Sequence, residues 1–211
     1  MPNYTLNYFP VRGRGEGARL ILNHANVDFN DHRITFEEFA NLKAKYPTAK
    51  VPVLQVDDTM IAESSAIARF LGNEFGLMGK NNLENAKLDM FVGAMGDILD
   101  GVLLPVMKEP SVECKHQLLK KGKEELPCKL APLEKMLSSS PSGYLGASLT
   151  WADFFVFASW ILVEDVFEVD LSSVPIINAH YQKIKSLPSV QKWFQKHPDV
   201  PCVPPPMIGK A

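Results

Sequence analysis

The sequence predicts a small α/β domain followed by an all-helical one. Two observations carry this: before residue 76 short β-type runs alternate with helical spacing, and after it the strand signal vanishes while apolar residues keep recurring at helical intervals. A third observation is the Gly- and Asn-rich stretch "GNEFGLMGKNN" at the change. It suits a linker over 76–82, between domains of residues 1–75 and 83–211.

The elements follow in order. "YTLNYF" (4–9) reads as a strand, and the glycine-rich "GRGEG" opens a helix over 15–26. A strand over 28–34 and a helix over 36–45 come next. "VPVLQV" (51–56) and "TMIA" (59–62) form two strands joined at Asp57-Asp58, residues that tolerate a bent backbone. A helix over 64–75 begins at Ser64, a good capping residue, which completes the order βαβαββα. Beyond the linker, helices are predicted over 83–107, 112–137, 150–166, 174–186 and 188–195. In "SLTWADFF", Thr150 is the N-cap and Asp153 reaches back to it. The run that follows, with Phe155, Phe157, Trp160 and Ile161, is apolar around most of its circumference, which predicts a buried central helix.

Composition removes several function classes. The 211 residues are 46% hydrophobic and 22% charged, an ordinary globular balance. Twenty-two basic and 24 acidic residues are mixed along the chain, so no basic stripe exists for nucleic acid. The opening residues lack the apolar core of a secretory leader, and "FFVFASWILV" is too short to span a bilayer. A soluble cytoplasmic protein without membrane partner is expected. The three cysteines, Cys114, Cys128 and Cys202, form no CxxC, and the five histidines never approach a zinc-binding spacing. No metal is assigned.

Two stretches hold the chemistry. "GRGEG" invites a dinucleotide reading, but Gly13, Gly15 and Gly17 make G-x-G-x-G, and no acidic residue ends a suitable following strand. A flexible strand-to-helix turn is the plainer reading. "KVPVLQVDDTMIAESSAIARFL" (50–71) puts Pro52 at the mouth of a strand. It is either a strand-start proline or, if its bond is cis, a device that leaves the backbone of Val51 free to pair with an extended ligand. Glu63-Ser64-Ser65 then opens a helix, where free amides hold an anion and the Glu63 carboxylate holds an ammonium. Together they describe a site for a zwitterion.

In this order, Tyr8, "RGRGE" (12–16), "KVPVL" (50–54), "ESSAIARFL" (63–71) and "LTWAD" (149–153) resemble the cytosolic glutathione S-transferases of the sigma class, along nearly the whole chain. The resemblance implies a thioredoxin-like first domain and glutathione as co-substrate, with a homodimeric assembly. It places Tyr8 as the hydroxyl donor to the glutathione thiolate and Arg14 as positive field beside the sulfur. It further implies that the γ-glutamyl end meets Glu63 and Ser64, that the cysteine backbone pairs with Val51 ahead of Pro52, and that Phe39, Lys43 and Lys50 complete the glutathione site. Without it, the two lysines read as solvated surface charge. Asp97 matches the acid that reaches across the dimer toward the γ-glutamyl amine. Phe9, Val11 and Gly13, with Leu99, Val102, Leu103 and Leu104, are implied as the apolar pocket for a hydrophobic electrophile. Tyr4, on the same strand face as Tyr8, reads as packing. No cysteine occurs in the first 113 residues, so the nucleophilic sulfur must come from the substrate.

The sequence departs from the sigma pattern at Glu63, often Gln there, and at Phe39, usually Trp. Gly96 replaces an acid that helps the haematopoietic prostaglandin D synthases bind a divalent cation, and Leu104 replaces a tryptophan of their pocket. Prostaglandin isomerisation is therefore a secondary expectation. "MPNYTL" and "EFGLMGKNN" also resemble the S-crystallins, structural lens proteins with little activity, although only 8 methionines occur here. A carrier role using the dimer cleft is a third reading. The proline-rich tail over 197–211 either folds over the second-substrate pocket or is disordered.

Overall fold

The computed structural model describes residues 2–209. Its first half runs β1 (Tyr4–Tyr8), α1 (Glu16–His24), β2 (Asn30–Arg33), α2 (Phe36–Leu42), β3 (Val53–Val56), β4 (Thr59–Ala62) and α3 (Ser64–Glu74). The four strands form one mixed sheet in the order β2-β1-β3-β4, with β1 parallel to β2 and antiparallel to β3. This is the thioredoxin-like arrangement. The second half is helical: α4 (Asn82–Lys108), α5 (Val112–Ser138), α6 (Trp151–Phe167), α7 (Pro175–Lys185) and α8 (Pro188–Lys196).

Strand alternation separates two cores. Leu54 joins the main core, while its neighbour Val53 joins a smaller cluster with Ile34 and Tyr46, against which Phe9, Phe39 and Val51 pack. The sheet is thus covered on both faces. The main core continues through α1 and α3 into α6, which packs against α1, α3, α4, α5 and α7. Trp151, Phe154, Phe157 and Trp160 of α6 are all essentially inaccessible, as a helix apolar on all sides requires. Asp153 holds its start: its carboxylate accepts from the amides of Thr150 (2.7 Å) and Leu145 (2.8 Å), and His180 Nε2 lies 2.9 Å away. The Thr150 hydroxyl donates to that same carboxylate at 2.7 Å. α4 is long and apolar enough to cross a membrane by length and composition, but Leu88, Met95, Leu99 and Val106 form a buried stripe in the main core, and the helix packs against α5 and α6.

Boundaries shift where the backbone must turn. The predicted 15–26 helix is a 3₁₀ turn over Gly13–Gly15 followed by α1, which stops at His24 because Asn26 adopts a left-handed φ of 53°. The 36–45 helix tightens into a 3₁₀ turn after Leu42. The strand expected from residue 51 starts at Val53, because Pro52 has no amide for the ladder; the Val51–Pro52 bond is cis. The tail, for which disorder was one expectation, is folded through Gly209 and includes a 3₁₀ turn at Pro205–Ile208.

Candidate active site

Tyr8 closes β1 at the centre of the sheet, and its carbonyl accepts from the Ile34 amide at 2.9 Å. The ring is buried, with 8% of the residue accessible, and two glycines make room for it. A Cβ on Gly13 would lie 2.5 Å from the Tyr8 hydroxyl, and one on Gly15 2.5 Å from ring atom Cδ1. Gly13 also has φ +40°, which disfavours any side chain. The "GRGEG" loop is therefore packed against a tyrosine, and neither a phosphate cradle nor a flexible turn describes it.

The Arg14 amide donates to the Tyr8 hydroxyl oxygen at 2.9 Å. That bond uses the oxygen as acceptor and leaves the phenolic proton available to another group. Burial raises the Tyr8 pKa above its ordinary 10.0, although the Arg14 amide and the Arg19 and Arg14 guanidinium groups pull it down. The phenol is consequently a donor throughout the neutral range.

Buried charge fixes the loop that carries these groups. Glu16 accepts from Arg12 Nη1 and Trp193 Nε1, each at 2.8 Å, and pairs with Arg19 at 3.4 Å. Arg19 also donates to the Val11 carbonyl at 2.6 Å and to Asp31 at 2.9 Å. Removing one member would strand its partners without water, so the network ties loop, α1 and α8 together. The Arg14 guanidinium pairs with Asp100 on α4, joining the two halves of the molecule. Asp100 carries no motif, and its role was invisible in the sequence.

Beside Arg14 opens a cavity of about 330 Å³, lined among others by Glu63, Ser64, Ser65, Asp89, Trp151 and Phe155. Glu63 has φ 68° and ψ 116°, a conformation costing roughly 1–3 kcal/mol for a residue with a side chain. Its side chain does not cap α3. The first helical bond runs from the Ile67 amide to the Glu63 carbonyl, at 2.9 Å, which leaves the Ser64 and Ser65 amides without a backbone acceptor among the described residues. A helix start lining a cavity, with a carboxylate at its cap, suits an anion and a cation side by side.

The remaining candidates spread around this centre. Val51 and Phe39 are half-buried, and no backbone hydrogen bond engages Val51 among the described residues. Lys43, Lys50 and Asp97 are exposed. Tyr4 is buried against Phe75, centroids 5.9 Å apart, in keeping with packing. The residues implied for an electrophile pocket do not converge on one described cavity. Gly13 and Leu99 line a space of about 20 Å³ with Arg14, Gly96, Phe155 and Leu162. Val11, Val102 and Leu103 are buried, Leu104 is half-buried, and Phe9 packs in the smaller cluster, 5.4 Å from Phe39 by ring centroids. Phe155 lines both spaces, yet its sequence context marked it only as core. A larger cleft of about 530 Å³ lies among α4, α5 and the 139–147 loop and contains none of these groups.

Known proteins share this construction. Residues 4–73 match the family model of the glutathione S-transferase N-terminal domain, and residues 97–197 match that of the C-terminal domain. Glutathione S-transferase 1 of Ascaris suum is 37% identical over 95% of this chain and 100% of its own length. The hematopoietic prostaglandin D synthase of Gallus gallus is 32% identical over 94% of this chain and 98% of its own. Among solved structures, the glutathione S-transferase from Ascaris lumbricoides superposes with a TM-score of 0.80 at 35% identity, covering 94% of this chain and 98% of that one. Prostaglandin synthase D of Nilaparvata lugens does so at 0.85 and 29% identity, covering 96% and 100%. With both halves of the fold matched in order, this chain belongs to the glutathione S-transferase family.

Proposed function

We propose that the chain is a sigma-like transferase that conjugates glutathione to small hydrophobic electrophiles in the cytoplasm, as a homodimer. One observation carries the reading: the hydroxyl of Tyr8 is buried, oriented by the Arg14 amide at 2.9 Å, and kept protonated by its surroundings. Such a donor stabilises a thiolate. A free thiol of pKa ~8.5 is only a few per cent ionised at neutral pH, and each unit of lowering corresponds to ~1.4 kcal/mol of preference for the anion.

In this reading the γ-glutamyl carboxylate sits at the amides of Ser64 and Ser65, and the amine meets Glu63 and Asp97 of the partner subunit. Val51 pairs with the cysteine backbone, Phe39 packs beside the tripeptide, and Lys43 and Lys50 face the glycine carboxylate. The glutathione thiol gives its proton to solvent, and its sulfur attacks the electrophilic carbon. The carbon–sulfur bond forms as the leaving group departs with its electron pair. Tyr8 and Arg14 hold the negative charge on sulfur until then. No metal has a part in the step.

The prostaglandin D synthases among the relatives give a second reading, isomerisation of a prostaglandin endoperoxide. Gly96 and Leu104 count against it, since they stand where the resemblance implies an acid and an aromatic for that activity. The test is the initial rate of glutathione conjugation to chlorodinitrobenzene for wild type and Tyr8→Phe. A wild-type rate that falls at least ~10-fold in the variant, ~1.4 kcal/mol of transition-state stabilisation, supports the assignment. Retention on immobilised glutathione with negligible turnover in both would leave a carrier or crystallin-like protein.

A further inference from the structure

The most deeply buried cation among the described residues stands beside the tyrosine. Arg19, on α1, is 0% accessible, and its guanidinium carbon lies 5.6 Å from the centroid of the Tyr8 ring, within reach of a cation–π contact. Its donors are spent on the segment that follows Tyr8: Nη1 on the Val11 carbonyl at 2.6 Å and Nη2 on the Phe9 carbonyl at 3.2 Å. Nε donates to Asp31 on β2 at 2.9 Å, and Glu16 stands 3.4 Å from Nη1. The fork is held in one place, and solvent does not reach it to screen its charge.

The other cation near the phenol is placed differently. Arg14 gives the Tyr8 hydroxyl its amide, but its guanidinium pairs with Asp100 and the side chain is 35% exposed. A charge so placed is screened by solvent and by its partner. The influences on the Tyr8 hydroxyl keep this order: burial raises its pKa, the Arg14 amide opposes most, Arg19 next and the Arg14 guanidinium after it, while Glu16 adds least. We propose that Arg19 is a positioning residue for the reaction: its buried charge beside the Tyr8 ring makes the phenol a stronger donor to the glutathione thiolate, and Asp31 sets how much of that charge the ring feels. Arg33 shares the Asp31 carboxylate at 2.8 Å, and Arg12 shares that of Glu16 at 2.8 Å, so both leave more of the Arg19 charge uncompensated. This rests on the transferase reading, in which Tyr8 faces the glutathione sulfur, and the experiment below separates the two.

The readout is the pKa of the glutathione thiol in its complex with the protein, titrated through the ultraviolet absorbance of the thiolate, with chemical denaturation in parallel. Arg19→Met removes the charge, and the thiol pKa is expected to rise by about 0.5–1 pH unit. Arg19→Lys keeps the charge and loses the fork, so it is expected to lose stability yet hold the thiol pKa within about 0.3 pH unit of wild type. Asp31→Asn keeps an acceptor for Nε and removes the opposing charge, and the thiol pKa is expected to fall by about 0.3–0.5 pH unit. In a Tyr8→Phe background the shift of Arg19→Met is expected to vanish, because the charge acts through the hydroxyl. If Arg19→Met fails to fold, Asp31→Asn decides, since its downward shift is one that loss of anchoring does not produce. Equal shifts in Arg19→Met and Arg19→Lys, no fall in Asp31→Asn, or a shift that survives in Tyr8→Phe overturns the inference. A lowered wild-type value that no variant moves refutes the role of Arg19 alone, whereas a bound thiol at the free value of ~8.5 in wild type and variants alike refutes the role of Tyr8 and that of Arg19 with it.

Discussion

Gly15→Ala tests how tightly the loop controls the tyrosine. Gly15 sits at φ −81° and ψ −20°, a conformation alanine adopts freely, so the backbone adds no strain. The whole effect comes from the new methyl group. It would lie 2.5 Å from Tyr8 Cδ1 and 2.8 Å from Cγ, whereas ordinary contact begins at 3.4 Å, so ring or loop must give by about 0.9 Å. The ring cannot move cheaply, because its strand is paired on both sides. A displacement of this size at a catalytic hydroxyl costs ~10- to 100-fold in rate, or about 1.4–2.7 kcal/mol. Overpacking costs about 1–3 kcal/mol of stability, of which the lower chain entropy of alanine offsets ~0.5–1. The assay is kcat for chlorodinitrobenzene conjugation at saturating glutathione, with thermal melting in parallel. The double variant Gly15→Ala, Tyr8→Phe makes the cycle: if the methyl acts through the hydroxyl, the double variant is no slower than Tyr8→Phe alone. Full wild-type kcat in Gly15→Ala, or losses that simply add, would refute the reasoning.

Other outcomes follow from the same geometry. In Tyr8→Phe the acid limb of the kcat/KM profile is expected to move up toward the free thiol pKa of ~8.5, so the deficit is larger near pH 6.5 than near pH 9. The wild-type profile should show no alkaline loss below about pH 10, because burial holds the Tyr8 pKa above its ordinary 10.0; a limb falling near pH 9 would contradict this. Ser64→Ala keeps the amide proposed to hold the γ-glutamyl carboxylate and tests whether the hydroxyl adds to it: KM for glutathione is expected to rise ~5- to 10-fold, the equivalent of one hydrogen bond, with kcat nearly unchanged. A fall in kcat at constant KM would move Ser64 out of the ground-state site. Asp153→Ala leaves the Leu145 and Thr150 amides and His180 without their buried acceptor. The expected cost is roughly 3–5 kcal/mol in chemical denaturation, with unchanged KM for glutathione in the folded fraction.

The amino-acid sequence alone determined the type and order of the elements, since these rest on short-range physics. Period-two alternation of residue type marked β1, and the spacing of apolar residues carried α5 across Pro127 and Pro132. Capping chemistry placed the start of α6 within a residue, whereas at α3 Glu63 is the cap position in place of Ser64 and makes no side-chain cap bond. Val51-Pro52 and Glu63-Ser64 stand out in the sequence because each lies at an element boundary where its residue type is unusual, whereas Tyr8 is singled out by the family resemblance. The tertiary structure alone decided what joins them. Arg14 meets Asp100, Glu16 collects Arg12, Arg19 and Trp193, and the Gly13 amide finds the Cys202 carbonyl. Arg12–Glu16 and Glu16–Arg19 stand at the helical spacings i,i+4 and i,i+3, but Arg14–Asp100, Glu16–Trp193 and Gly13–Cys202 have no fixed spacing and depend on how separate elements pack. Gly13 and Gly15 of "GRGEG" show the division most clearly: their positions are plain in the sequence, but their purpose depends on the Tyr8 side chain, which the fold of β1 against the loop puts 2.5 Å from where their Cβ atoms would stand. Local propensity reaches only a few residues along the chain, whereas close packing acts between atoms that chain distance keeps apart.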